Sequence, residues 1–358
     1  MRKVLLRIVF DQYWQMESVG NELLVGAGWV LAAWTLIAVV GLAVLWKLTR
    51  DSGQVLSSLL FWAIIPTAIV MIPVLGLPLA KSGVPLFGYG LMLFVGFASG
   101  TLLATRRARQ VGLDPNVVWD LTMWLLIPGI IGARVIYLLQ NWQRVVGGKA
   151  GMDAVLATVN LTDGGIVFYG CVIGGVIGAI TFCRRRNIRI LQLGDVVIPS
   201  LMLGLGFGRI GCFLYGCCFG GPCSLPWAVR FPPDSLTFQK LVERGTIPPD
   251  AAATIPLHPT QIYSSILAFS LAAFLTWYFR HRPFEGAVLA LGCTIYPINR
   301  FVLEVIRDDE PARMGTGLTF SQLMSIGIFL TGCGMLIWLS HRHRGEHSAA
   351  GATKAGAG

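Results

Sequence analysis

The sequence predicts an all-α polytopic membrane protein, with a seven-helix core, two N-terminal transmembrane helices before it, and a small head outside the bilayer. Three observations predict this. Of 358 residues, 54% are hydrophobic and only 13% charged, against roughly 25% charged in a soluble domain. The apolar residues gather in stretches of about 18 to 23, long enough to cross a hydrocarbon core of about 30 Å. The cations sit in short clusters between those stretches, as the loops of a membrane protein require. The net charge of +10 is therefore assigned to topology and not to nucleic acid, for which the chain carries no binding motif.

Taken in order, residues 1–24 combine a charged start with a mixed polar run (FDQYWQMESVGNE). Without a compact apolar core and a small-residue cleavage site, this is not a cleavable signal peptide. It reads as a short interfacial or loosely ordered lead. Nine spans follow, at 25–46, 56–76, 86–105, 118–139, 164–183, 195–214, 259–279, 286–306 and 317–340. The first two carry almost no interior polar residues, so 1–84 is read as an accessory region and 85–340 as the core. The hydrophilic insertion at 215–257, with Pro222, Pro226, Pro232, Pro233, Pro248 and Pro249, is expected to be a small ordered periplasmic head. Residues 341–358 end in low-complexity GEHSAAGATKAGAG and read as a disordered cytoplasmic tail.

Orientation follows from the loops. One set holds thirteen cations, among them Arg106, Arg107, Arg109, Arg184, Arg185 and Arg186, and the other holds five. The first set is cytoplasmic, which puts the N-terminus outside and the C-terminus inside; Arg2, Lys3 and Arg7 are the exception.

On spans oriented this way, Tyr89, Arg134, Tyr137, Asp163, Tyr169, Arg209, His258, Tyr296, Arg300 and Glu304 all fall in the outer half of the bilayer or at its surface. A charge at mid-membrane costs about 2.5–3.5 kcal/mol on insertion scales, so such residues tend to face a cavity with a function. Three arginines against Glu304 leave a positive surplus suited to an anionic phospholipid head group, whose phosphate oxygens a guanidinium grips bidentately. Singly, each has a structural reading too. Arg300 and Glu304, four apart, can pair on one helix face, and Arg134 can snorkel. Gly174, Gly178 and Gly204 fit close helix packing, whereas Gly208 and Gly211, flanking Arg209, could admit a ligand against the backbone.

Eight cysteines are too few and too scattered for a disulfide scaffold, yet Cys212, Cys217, Cys218 and Cys223 crowd into one segment. A disulfide in an oxidising compartment is the first reading, unpaired structural thiols the second. Metal binding is the third, since the spacing is not the usual pair of C-x-x-C hooks.

The segment GFGRIGCFLYGCCFG (206–220) resembles the signature G-R-x-G-N-F-x-N-x-E-x-x-G of the prolipoprotein diacylglyceryl transferase family. FGYGLML (87–93), DGGIVFYGC (163–171), HPTQIY (258–263) and YPINRFVLEVIRDDE (296–310) match four further blocks in order. The resemblance covers about 85–340 and implies transfer of a diacylglyceryl group from phosphatidylglycerol to the lipobox cysteine of prolipoproteins in the bacterial inner membrane, with no cofactor and no metal required. It makes Arg209 and Arg300 phosphate-binding arginines. Tyr89, Tyr296, Glu304 and Gly220 match other functional positions, and His258 and Arg134 are further candidates for holding the lipid. The reaction's thiol belongs to the substrate, so the cysteine cluster is not read as the nucleophile.

The chain also departs from the family pattern. Tyr169 stands where many members have histidine, and Cys212, Tyr215 and Cys217 replace the signature's two asparagines and its glutamate. A tyrosine with an ordinary pKa near 10 is a poor base at neutral pH, so no general base is assigned. These losses motivate an alternative, a catalytically impaired lipid-binding relative. A lipid or solute transporter is a second alternative, against which stand the lack of an internal repeat and of polar residues in the cytoplasmic half.

Overall fold

The computed structural model describes residues 4–10, 14–19, 22–49, 63, 66–67, 69–71, 74–75, 83–148, 151–159, 167–308 and 317–355. Of the expected elements, most of the second span (56–76), Asp163 and the start of the fifth span lie outside the described residues.

Helices occupy the other expected spans: α1 (Ala27–Thr49), α2 (Gly88–Gln110), α3 (Asn116–Val145), α5 (Phe168–Arg186), α6 (Ile190–Tyr215), α8 (Thr260–Phe279), α9 (Ala287–Ile306) and α10 (Phe320–Ala355). Among the described residues six helices are long and apolar enough to cross a membrane: α2, α3, α6, α8, α9 and the Phe320–Gly345 part of α10. Two shorter helices, α4 (Gly151–Val159) and α7 (Leu236–Glu243), lie between spans. Leu139, Phe94 and Val305 are more than two-thirds solvent-accessible, as side chains facing lipid would be.

The ends follow from local chemistry. Arg107 and Arg109 close α2, and Arg184, Arg185 and Arg186 close α5, complementing the negative end of the helix dipole. Asn187 stops α5 in the left-handed region (φ 52°), the backbone state that asparagine tolerates best after glycine. The Ser235 side chain caps α7, accepting from the Phe238 amide at 3.2 Å. At the C-terminus, α10 continues to Ala355 through residues expected to be a disordered tail; the alanines of SAAGATKA favour helix.

The N-terminal lead departs from the expectation. Instead of a loosely ordered segment, β1 (Val4–Val9), β2 (Met16–Val19), β3 (Glu22–Gly26) and β4 (Val84–Phe87) form a four-stranded sheet in the order β2-β3-β1-β4. β1 runs parallel to β3 and antiparallel to β4. Arg7 on β1 pairs with Glu22 on β3 at 2.8 Å, and Ile8, Phe10, Ala27 and Ile69 are buried together beneath it.

The chain divides into two compact units. The first comprises Met1–Val95, Phe207–Tyr263 and Ile306–Asp309; the second comprises Gly96–Gly206, Ser264–Val305 and Glu310–Gly358. In the first, the insertion after α6 has its own core of Phe219, Phe231, Phe238, Leu241, Ile247 and Leu257. Thr254 inside it is fully buried and accepts from the Phe231 amide at 2.9 Å, so the buried hydroxyl is satisfied.

In the second unit, α3 and α5 pack with almost no space between their backbones. A Cβ on Gly174 would lie 2.0 Å from the Pro128 carbonyl oxygen, and one on Gly178 would lie 2.0 Å from that of Trp124. The four-residue spacing of Gly170, Gly174 and Gly178 therefore serves as a packing stripe, as in other membrane helix pairs. Gly204 is different: a Cβ there would meet only ordinary contact, 3.6 Å from Gly96 O.

This unit also corrects two readings of charge. Asp195 is fully buried in α6, accepting from the Gly286 and Leu289 amides at 2.8 Å each and from Arg282 at 3.1 Å. It thus anchors the start of α9, in a half expected to hold no polar residue. Arg107, counted as a loop cation, is 2% exposed and bonds to Ser200 Oγ at 3.2 Å. Both partners lie about ninety positions away, beyond any local pattern.

Candidate functional site

The nine predicted site residues fall into two groups, Tyr89, Arg209, Gly220 and His258 in the first unit and Arg134, Tyr169, Tyr296, Arg300 and Glu304 in the second.

In the first unit, α6 carries Arg209 near its C-terminal end. Gly211 lets the first turn of α2 come close: a Cβ there would lie 3.0 Å from Tyr89 Cδ2. The space expected to serve a ligand at Gly211 is thus taken by the tyrosine ring, which also lies 6.2 Å from that of Tyr215. The Arg209 Nε–H is buried and has no hydrogen-bond partner among the described residues. No carboxylate pairs with Arg209 among them either, whereas Arg7 pairs with Glu22 and Arg244 with Asp308 elsewhere in the unit. A buried, unsatisfied guanidinium N–H is costly unless something binds it.

α6 ends in a left-handed cap. Gly216 (φ 75°) donates to Phe213 O, and the Cys217 amide donates to Cys212 O at 3.1 Å. This 6→1, 5→2 pattern places the side chains at positions 212 and 217 against one another. Cys218 follows with φ 61°, left-handed without being glycine. The sulfurs of Cys212, Cys217 and Cys218 lie within 4.8 Å of one another. All eight cysteines are free thiols, so the disulfide read first from the sequence is not formed, and Cys223 is buried apart from the trio. Cys218 is held below the ordinary thiol range by hydrogen bonds from Cys212 and Cys217 and then by the charges of Arg307 and Arg209. Cys217 is pushed above that range by its bonds to the two sulfurs and by burial.

The loop after the cap is tied down by the block HPTQIY. Gly220 donates to His258 O at 3.1 Å, and His258 donates to Gly221 O at 3.0 Å. Thr260 Oγ1 donates to Cys218 O at 2.8 Å and Gln261 Nε2 to Cys217 O at 2.6 Å. Sequence reasoning missed Thr260 and Gln261; two polar residues in the first turn of an apolar helix were the available signal. His258 itself is turned to Tyr263, 3.4 Å from Nδ1 to the phenol oxygen, which also accepts from Trp227 at 2.6 Å.

In the second unit, Arg300 pairs with Glu304 one turn along α9 and donates to Ser321 Oγ at 2.8 Å. Glu304 is 4% exposed. The Tyr169 hydroxyl lies 3.4 Å from the same Ser321 oxygen, and its ring meets Phe320 edge-on at 4.4 Å. Ser321 therefore links two predicted residues and was itself missed. Arg134 bonds the carbonyls of Thr158 and Ala157 at 2.8 Å each, closing the C-terminus of α4, and lies over the Tyr137 ring. Tyr296 is partly buried against the main core of the unit, one residue before Pro297.

Residues 79–338 match the family model described as prolipoprotein diacylglyceryl transferase. Similar proteins include a phosphatidylglycerol–prolipoprotein diacylglyceryl transferase of Clostridium tetani, 34% identical over 69% of this chain and 93% of that protein. A second one, of Clostridium perfringens, is 36% identical over 70% and 90%. That of Rhodopirellula baltica is 27% identical and covers 92% of this chain, so this match reaches into the leading region. The chain belongs to the prolipoprotein diacylglyceryl transferase family.

Proposed function

We propose that this protein transfers the diacylglyceryl group of phosphatidylglycerol to the lipobox cysteine of prolipoproteins, with its site facing the periplasm from the inner membrane. The observation that carries the reading is Arg209, a buried guanidinium N–H with no partner among the described residues, set within the family's signature. In the reaction the substrate sulfur attacks the glyceryl carbon and the carbon–oxygen bond to phosphate breaks. Glycerol-1-phosphate leaves with the electron pair of the broken bond, and the proton given up by the thiol ends on this phosphate monoester or in solvent. Negative charge thus grows on the departing phosphate oxygens, and a guanidinium fixed beside them stabilises the transition state without reorganising. Residue by residue, Arg300, Glu304, Tyr296, Tyr89, Gly220 and Tyr169 are also proposed to be needed for transfer. Arg134, bonded to the end of α4, and His258, turned to Tyr263, are proposed in supporting roles in holding the lipid.

The test is transfer by the purified protein from labelled phosphatidylglycerol to a lipobox peptide. Arg209→Ala is expected to lose about 10²–10³-fold in rate, the effect of deleting one preorganised donor to a developing oxyanion, and Arg209→Lys to recover only part of it. Wild-type rate in Arg209→Ala removes this arginine from the mechanism. One observation favours a second reading, an impaired lipid-binding relative: the signature's carboxylate position holds Cys217, whose thiol donates to the Cys212 carbonyl at 3.7 Å. Failure to rescue a transferase-depleted cell at normal membrane levels would decide for it.

A further inference from the structure

The trio at the end of α6 plays no part in the transfer reaction just described, and its arrangement is specific. The left-handed cap at Gly216 forces positions 212 and 217 together, and both are cysteine. The third sulfur arrives only because Cys218 accepts a left-handed backbone (φ 61°), which costs a residue with a Cβ about 1–2 kcal/mol. That backbone is held by Thr260 and Gln261, which bind the carbonyls of Cys218 and Cys217. The outcome is three sulfurs within 4.8 Å of one another, none of the three residues fully buried. Zinc bound to thiolates at about 2.3 Å needs sulfurs a little under 4 Å apart in a tetrahedron, a small contraction from this spacing. Three thiolates and one divalent ion sum to a single negative charge, and the cation Arg209 stands three residues before Cys212 on α6.

We propose that Cys212, Cys217 and Cys218 together bind a single thiophilic divalent cation of the zinc class, with the fourth position left for a solvent oxygen. Such an ion would pin the end of α6 to the following loop, adding to the hydrogen bonds from Thr260 and Gln261.

The experiment uses the full-length protein in detergent, reduced and kept anaerobic, with Co2+ and Zn2+ as probes. One equivalent of Co2+ per chain is expected to give sulfur-to-cobalt charge-transfer absorption, displaced by Zn2+. The absorption should be lost in Cys212→Ser, Cys217→Ser and Cys218→Ser and kept in Cys333→Ser. Because a serine variant at the helix cap can misfold, a second measurement uses the native chain: bound Zn2+ should slow alkylation of these three thiols, mapped by mass spectrometry, and leave Cys333 unaffected. Free, titratable thiols that give no charge-transfer band overturn the proposal. So does a disulfide within the trio in protein isolated from membranes without reductant. Neither readout depends on transfer activity, so loss of the transferase reading and loss of the metal site are separately visible.

Discussion

Replacing Gly220 with alanine tests how tightly the signature loop is held. A Cβ at this position would lie 2.7 Å from His258 Cβ, 2.7 Å from Thr260 Cγ2 and 3.0 Å from His258 O. Carbon atoms attract best at about 3.5–4.0 Å, so the loop and the start of α8 must part by about 1 Å. The cost of forcing one methyl into such a site is about 1–3 kcal/mol. The movement also strains the reciprocal pair of hydrogen bonds, Gly220 to His258 O and His258 to Gly221 O, each worth about 1 kcal/mol. A shift of that size in a positioned group can cost about 10²-fold in rate. Gly220→Ala is therefore expected to insert normally, unfold at a lower temperature and lose about 10²-fold in transfer to a lipobox peptide. Activity within twofold of wild type, at an unchanged unfolding temperature, would refute the argument that this contact positions the loop.

Two further outcomes follow from the second unit. Ser321→Ala removes the oxygen that accepts from Arg300 and faces the Tyr169 hydroxyl; transfer should fall about tenfold, a loss of about 1.4 kcal/mol, and Ser321→Thr should restore it, whereas equal rates in the alanine variant would free Arg300 from that contact. Gly174→Ala sets a Cβ 2.0 Å from the Pro128 carbonyl oxygen; α3 and α5 cannot keep their spacing, and the thermal unfolding temperature in detergent should drop clearly, while an unchanged value would show that the stripe is not a packing contact.

Much of the fold is legible because a helix crossing lipid must carry its apolar length in consecutive residues. The expected spans 118–139 and 195–214 lie inside α3 (Asn116–Val145) and α6 (Ile190–Tyr215). Their ends were missed because a helix continues past the hydrocarbon wherever capping allows. The N-terminal sheet was not legible: a run as short as VLLRIV is ambiguous alone, and β1 finds one of its partners at residues 84–87, far along the chain. Asp195 and Arg107 were misjudged for a related reason, since what satisfies them comes from α8, the loop before α9, and α9 itself, or from a distant turn of α6.

The candidate site divides in the same way. Arg209, Arg300 and Tyr169 were visible as polar groups in apolar spans, since the cost of burying a charge can be read from one span at a time. Which of them is already satisfied was not visible. Arg300 is held by Glu304 and Ser321, Arg134 by the end of α4, and the Arg209 Nε–H by none of the described residues. In the cysteine segment the cap glycine and the pair it joins were present in the letters CFLYGC, but the inclusion of Cys218 and the exclusion of Cys223 depended on one left-handed residue and two side chains from α8. The sequence alone determined the membrane class, the helix positions and the residues too polar for lipid, because transfer of side chains from water to hydrocarbon is nearly additive along a helix. Only the tertiary structure decided which of those polar groups meet partners, because hydrogen bonds are made in pairs and the pairs here join segments far apart in the chain.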